Sequence, residues 1–344
     1  MRQRNEPKLH HYVPRSYLRR FGDASGQVTV RRRGQLPFTA NVARVAAENF
    51  LYSVVLGDGT RDASAEKTLA QFDAAGNEGF KELCDGKLPS LGSADREALS
   101  LFLVLQMTRT PEFADQFMFA SNTIAVLGGI ENVTLASMRP YLRDVHLRFE
   151  PADSEVQGAV DLVHGLNAMG LPTKDEQLQM MFDAALELAP RIGAWTWSIE
   201  RCRKPILGTC DRLPAIWHPD RPSEAYQGSG LNDADELWCP VDMKTLLVLR
   251  KSGFEQVIEV EPKRFRFVNS HLARHCYQAV FHRPSTVDRS AEFAMSSYRP
   301  SLRFWTGPAV DENGQELIDA AGNPRMIIHQ WVPIRDDAVP LPAD

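Results

Sequence analysis

Thr173-Lys174-Asp175-Glu176-Gln177-Leu178-Gln179-Met180-Met181-Phe182-Asp183-Ala184-Ala185-Leu186-Glu187-Leu188-Ala189-Pro190-Arg191-Ile192-Gly193-Ala194-Trp195-Thr196-Trp197-Ser198-Ile199-Glu200 changes its apolar period partway along. Thr173 and Glu176 have the spacing of a capping box, in which the hydroxyl accepts from the third helical amide and the carboxylate reaches back to the amide of the capping residue itself. Met180, Met181, Ala184, Ala185 and Leu188 then make one helical stripe, predicted to stop at Pro190. The methionines read as packing, not as a cofactor box. After Gly193 the period becomes that of a strand, over Trp195 to Glu200. A helical centre therefore hands over to a β-rich half at this point.

The same alternation of regimes extends in both directions. Residues 27–56 are β-rich: Gln27 to Arg33 alternates, and Asn49 to Val55 runs apolar before the Gly57-Asp58-Gly59 turn. Residues 62–190 are helical. Ala65, Leu69, Phe72, Phe80 and Leu83 share a face, Ser93 opens a helix through Leu99 to Met107, and Pro111 is predicted to bend it. Residues 195–250 carry strands at 195–200, 205–211, 237–241 and 246–249, with a connecting loop at 219–236. A last helix is predicted over 262–282, with Phe265, Val268, Leu272, Cys276, Ala279 and Val280 recurring along it. Residues 283–344 form a C-terminal extension with a short hairpin around Gly322-Asn323. Without a regular βαβ rhythm, this order predicts an α+β fold: a mostly helical centre packed on a small, largely antiparallel mixed sheet, as a single domain over 1–282.

The chain has 344 residues, 43% hydrophobic and 24% charged, enough to bury a substantial core. Its net charge, 39 − 44 = −5, means that any nucleic-acid surface would be a local patch. No apolar h-region follows the first residues and no run of about 18 apolar residues occurs, so a cytoplasmic protein without membrane spans is expected. The five cysteines are dispersed with no CxxC pair, which reads as reduced, mostly buried thiols.

His10-His11-Tyr12-Val13-Pro14, running into Arg15-Ser16-Tyr17-Leu18-Arg19-Arg20-Phe21, concentrates chemistry at one point. If Pro14 is the first helical residue, the free amides of that turn favour an anion and keep a nearby histidine neutral, as a general base needs. Alternation along extended backbone puts His10 and His11 on opposite faces, against a shared metal ion. Two readings stand: one imidazole faces a cleft, or both fasten the segment to the body.

The stretch from His10 to Phe21 resembles the start of the bacterial domain of unknown function 4238 family. Further blocks fall in that family's order: Phe102 to Pro111, Ile206 to Asp211, Leu237 to Asp242, and Val268-Asn269 with its helix. The resemblance covers roughly residues 8 to 282 and implies positions of interest but no activity. Where the family commonly reads Ser/Thr-Asp-Asn-Pro, this chain has Cys210-Asp211-Arg212-Leu213-Pro214, so only the aspartate carries over.

Asp211 ends an apolar strand, where a carboxylate can be catalytic or can cap the turn. Arg109 could clamp a phosphate bidentately or pair with a structural carboxylate such as Asp211. Asn269, His271, Arg274 and His275 form a polar stripe on the last helix; 271 and 275 share a face, but no HExxH glutamate separates them. No GxxxxGK[ST], no GxGxxG after a strand and no GxSxG is present, which removes support for P-loop, nicotinamide and α/β-hydrolase chemistry.

The sequence therefore predicts an intracellular enzyme hydrolysing a phosphate-containing substrate, a nucleic acid or nucleotide. His10, His11 and Asp211 are its candidate catalytic residues, Arg109, Asn269 and Arg274 its candidate substrate ligands, and a divalent metal is admitted. The competing expectation is a non-catalytic binding or regulatory module in which the HHYVP motif is a structural anchor.

Overall fold

The computed structural model describes residues 8–145, 150–218, 231, 234–285, 287–295, 303–308, 315–316, 318 and 326–331. The chain opens with β1 (Leu9–His11), α1 (Arg15–Leu18) and a 3₁₀ turn at Arg19–Phe21, then β2 (Gln27–Arg32), β3 (Phe38–Asn41), β4 (Ala47–Asn49), β5 (Val54–Val55) and β6 (Arg61–Asp62). The helical centre is α2 (Ser64–Cys84), α3 (Ala94–Thr108), α4 (Pro111–Phe117), α5 (Phe119–Leu127), α6 (Leu135–Pro140), α7 (Asp153–Met169) and α8 (Lys174–Gly193). Next come β7 (Thr196–Arg201), β8 (Thr209–Cys210), β9 (Ala215–Trp217), β10 (Glu236–Asp242), β11 (Thr245–Arg250), β12 (Gln256–Glu259), α9 (Pro262–His275) and β13 (Ala279–His282). Finally β14 (Arg303–Pro308) and β15 (Met326–Trp331) pair as an antiparallel hairpin, with its predicted Gly322-Asn323 turn outside the described residues.

Two sheets carry the β half. One has the order β12-β7-β11-β10-β9, antiparallel except for the parallel β12–β7 edge; the other has the order β3-β2-β13-β8. β1 pairs only with β4, and β5 with β6. The expected α+β class, with small and mostly antiparallel sheets, is what forms.

The capping box forms: Thr173 Oγ1 accepts from the Glu176 amide at 3.2 Å, and Glu176 Oε2 accepts from the Thr173 amide at 2.7 Å. The helix does not stop at Pro190 but runs to Gly193, because Arg96 takes the Gly193 carbonyl at 2.8 Å and the Trp195 carbonyl at 2.5 Å, holding that last turn against α3. Pro111 does not bend one helix; it begins α4, capped by Thr110, after α3 has ended at Thr108. The run Asn49 to Val55 is not one strand, since Phe50 sits at φ 58 and turns the chain. The last helix ends at His275, and Ala279 and Val280 belong to β13 instead.

Most elements share one apolar core. Its centre includes Leu18 and Phe21, Phe80 and Phe102 of α2 and α3, Trp197 and Leu247 of the larger sheet, and Val28 and Val280 of the smaller. Phe80 and Phe102 meet edge-to-face with centroids 5.2 Å apart. They can do so because Gly76 lies over the Phe102 ring: a Cβ there would come within 2.2 Å of it. A second, smaller apolar cluster joins α5, α6 and α7 through Phe119, Met138, Leu142, Val156, Ala159 and Val163. Among the described residues no helix is long and apolar enough to cross a membrane.

Candidate functional site

The HHYVP segment enters as β1, whose His10 backbone registers opposite Glu48 of β4. The His10 side chain is fully buried, and its Nδ1 accepts the Tyr52 amide at 3.0 Å, which leaves the proton of the neutral ring on Nε2. The Tyr52 ring stacks on the imidazole, and its hydroxyl donates to the Arg109 carbonyl at 2.7 Å. Arg109 is itself buried. Its Nε donates to the Tyr12 carbonyl at 3.0 Å, one terminal nitrogen to the His11 carbonyl at 2.8 Å, and the other to Asp73 Oδ1 of α2 at 2.7 Å. Burial works against the guanidinium charge, but Asp73, helped by Tyr52 and Glu66, more than offsets it, and the pKa lies above its ordinary value.

His10, His11 and Arg109 thus come together, with the Arg109 fork gripping the backbone of the motif. The helix after it is one turn long and starts at Arg15, with Pro14 as its cap instead of its first residue. A single turn aligns too few peptide dipoles to make the anion-favouring end that the sequence suggested. His11 is half-buried on the opposite side of β1 from His10. Its Nε2 has no hydrogen-bond partner among the described residues, and burial, reinforced by Arg15, lowers its pKa to about 4. On α2, burial pushes the Glu66 carboxyl up to about 7, although Arg109 pulls the other way.

Asp211 follows β8 and faces the start of β13. Oδ1 accepts from the Tyr277 amide at 2.8 Å, and Oδ2 from the amides of Gln278 at 2.7 Å and Ala279 at 2.9 Å. Burial raises its pKa against the pull of those three amides. Arg33 completes the same joint by donating to the carbonyls of Tyr277, Arg274 and Cys276. Asp211 therefore does not pair with Arg109, the partner suggested from sequence. Its charge is felt in the HHYVP segment, where it adds to burial in raising the pKa of the buried Tyr12 phenol.

Asn269 is buried in α9, accepts from the Gly208 amide at 2.9 Å and donates to the Ile206 carbonyl at 2.9 Å. Arg274 lies half-buried one turn further on. His271 Nε2 donates to the Ile216 carbonyl, 2.8 Å away, and its ring stacks on His275 with centroids 5.6 Å apart; burial holds both below their ordinary range. Asn269 and Arg274 thus both sit on α9, where Asn269 is committed to the backbone of Ile206 and Gly208.

Reading the sequence alone misses a second polar cluster around Tyr277. The buried Glu112 of α4 pairs with Arg212 at 2.9 Å, and burial raises its carboxyl pKa. One turn on, Asp115 accepts from the Tyr277 hydroxyl at 2.7 Å. A signal existed in Pro111-Glu112-Phe113-Ala114-Asp115, where a proline-started helix carries two acids at i and i+3. Tyr52, Asp73 and Arg33 carried no such signal, because their partners are mostly backbone groups and a distant arginine.

Chemically, the gathered residues are hydrogen-bonding anchors with two ionisable neighbours, His11 and Glu66, within the field of Arg109. Among the described residues no group of three His, Cys, Asp or Glu side chains is placed to hold a metal ion, and all five cysteines are free thiols. The cavities at the α7–α8 fork, beside α6 and beside the 3₁₀ turn at Arg19 are lined by none of His10, His11, Arg109, Asp211, Asn269 or Arg274. No curated protein and no solved structure matched the chain. A family model described as a protein of unknown function (DUF4238) matches residues 9–286, which takes in the HHYVP segment, both sheets, all nine helices described above and the joint at Asp211. The chain belongs to that family.

Proposed function

We propose that this chain is a non-catalytic binding or regulatory module whose HHYVP motif is a structural anchor. One observation carries the reading: the side chains of His10, Arg109 and Asp211 direct their hydrogen bonds mainly to backbone amides and carbonyls, which a substrate would have to displace. A group already satisfied in the interior gains little by turning to a ligand and leaves a buried polar atom unpaired when it does.

A second reading, hydrolysis of a phosphate-containing substrate such as a nucleotide or nucleic acid, is favoured by the environment of His11. Its imidazole is neutral near pH 7, with one nitrogen lacking a partner among the described residues, and Glu66 with a pKa of about 7 lies near the same arginine. The two readings separate in one assay. Purified chain is incubated with nucleoside triphosphates, single-stranded DNA and RNA, with and without Mg²⁺, beside His11→Gln. Turnover no higher than that of heat-denatured chain is expected. Hydrolysis that His11→Gln abolishes at unchanged melting temperature would establish the catalytic reading instead.

A further inference from the structure

α7 and α8 are joined by only four residues, 170–173, a connection that normally folds two helices closely against each other. Here they diverge. α7 packs on α5 and α6 within the smaller apolar cluster and also against β14, whereas α8 packs along α3 in the main core. The fork between them is an open trough of about 710 Å³. Leu162 and Leu166 of α7, Leu171 of the connection and Phe117 and Phe119 line it, with Met169 and Met180 on either side. Those methionines are 74% and 45% exposed and Phe117, Leu166 and Leu171 are half-buried, whereas Leu162 and Phe119 are buried and make the floor.

Its charge is one-sided. The charged residues that line the trough are Glu176 and Asp183, with no lysine or arginine among them. α7 adds Asp153, Glu155 and Asp161 and has no lysine or arginine at all. α8 adds Asp175 and Glu187 against Lys174 and Arg191, and the Lys174 ammonium is held by Gln177 Oε1 at 2.6 Å. A trough with flexible thioether walls and an acidic rim complements one kind of occupant: an elongated apolar ridge flanked by cations.

We propose that the α7–α8 trough receives a basic amphipathic helix of a partner protein. The apolar stripe of that helix lies on Leu166, Leu171 and the two methionines, and its lysines or arginines face Glu176 and Asp183. This rests on the binding-module reading and gives that module a surface and a partner chemistry. The open shape suits a helix laid along it better than a small molecule enclosed within it. The acidic rim repels an anionic lipid surface.

The test uses the full chain and a fluorescein-labelled 14-residue Leu/Lys peptide patterned as an amphipathic helix. Its controls are a shuffled peptide of the same composition, a Leu/Glu counterpart and phosphatidylglycerol vesicles. Anisotropy should show saturable binding of the patterned peptide, at least about tenfold tighter than of the shuffled or acidic one, and weakened by 0.5 M salt. Met169→Lys and Met180→Lys change exposed residues, so their circular dichroism should match the parent while each weakens binding about tenfold. Equal binding of the shuffled peptide, no effect of either methionine variant, absence of binding, or preferential binding to the vesicles would each overturn the proposal. The hydrolysis assay reads the binding-module interpretation separately, so that interpretation can survive the loss of this one.

Discussion

Arg109→Met is expected to cost about 3 to 5 kcal/mol of folding stability, the range for removing one partner of a buried ion pair. The loss has several sources. Asp73 is left partly buried and unpaired, the carbonyls of His11 and Tyr12 lose their donors, and the connection between α2 and the N-terminal strand goes with them. Arg109→Lys keeps the charge but not the planar fork that reaches two carbonyls and a carboxylate together, so it should recover less than half of the loss. Urea denaturation followed by tryptophan fluorescence measures both. A cost below about 1 kcal/mol for Arg109→Met would mean that the guanidinium is free to serve a ligand.

Asp211→Ala should be comparably damaging, again about 3 to 5 kcal/mol, because three amides at residues 277–279 lose their acceptor in the interior. β13 stands between β2 and β8, so its first residues set the register of the smaller sheet. Asp211→Asn keeps one acceptor oxygen but turns an NH₂ group toward amide donors, and should fall between Ala and the parent. Hydrogen exchange sharpens the test. The amides of Tyr277, Gln278 and Ala279 should lose protection in Asp211→Ala before those of the distant strand β11 do. Uniform loss across both sheets, or none, would contradict a local joint.

The fold was legible where a period persisted long enough to outweigh alternatives. α8 buries Leu178, Met181, Ala185, Ala189 and Ile192 over about four turns, and β7, β10 and β11 are apolar runs bounded by turns, so both appear in the sequence. The losses are short or ambiguous segments. β9 has three residues; β12 is an exposed edge whose Gln256-Val257-Ile258-Glu259 pattern lacks alternation. Ala279 and Val280 fit a helical continuation of α9 until Cys276 leaves helical geometry.

Of the candidate residues, His10, His11 and Arg109 gather and Asp211 sits at a separate joint, a division that their spacing in the sequence left open. Yet the Arg109 fork is occupied by carbonyls, and the Asp211 carboxylate by amides. Every residue has such groups, so no spacing rule distinguishes a phosphate clamp from a backbone staple. Arg33 and Arg96 repeat the pattern, each buried and directed largely at carbonyls near a chain turn. Buried arginines at element ends are a recurring means by which this fold ties its helices to its strands.

The most direct measurement of the anchor is the stability of His10→Ala. Catalytic side chains are held in place at a cost to the fold, so removing one leaves stability unchanged or improves it. A fully buried imidazole that accepts the Tyr52 amide does the opposite: its loss opens a cavity and leaves a donor unpaired. Urea denaturation at pH 7 should therefore show His10→Ala less stable than the parent by about 2 to 4 kcal/mol, with His10→Asn partly restoring the acceptor. Parent-like or higher stability of His10→Ala would contradict the structural role and return the motif to catalysis.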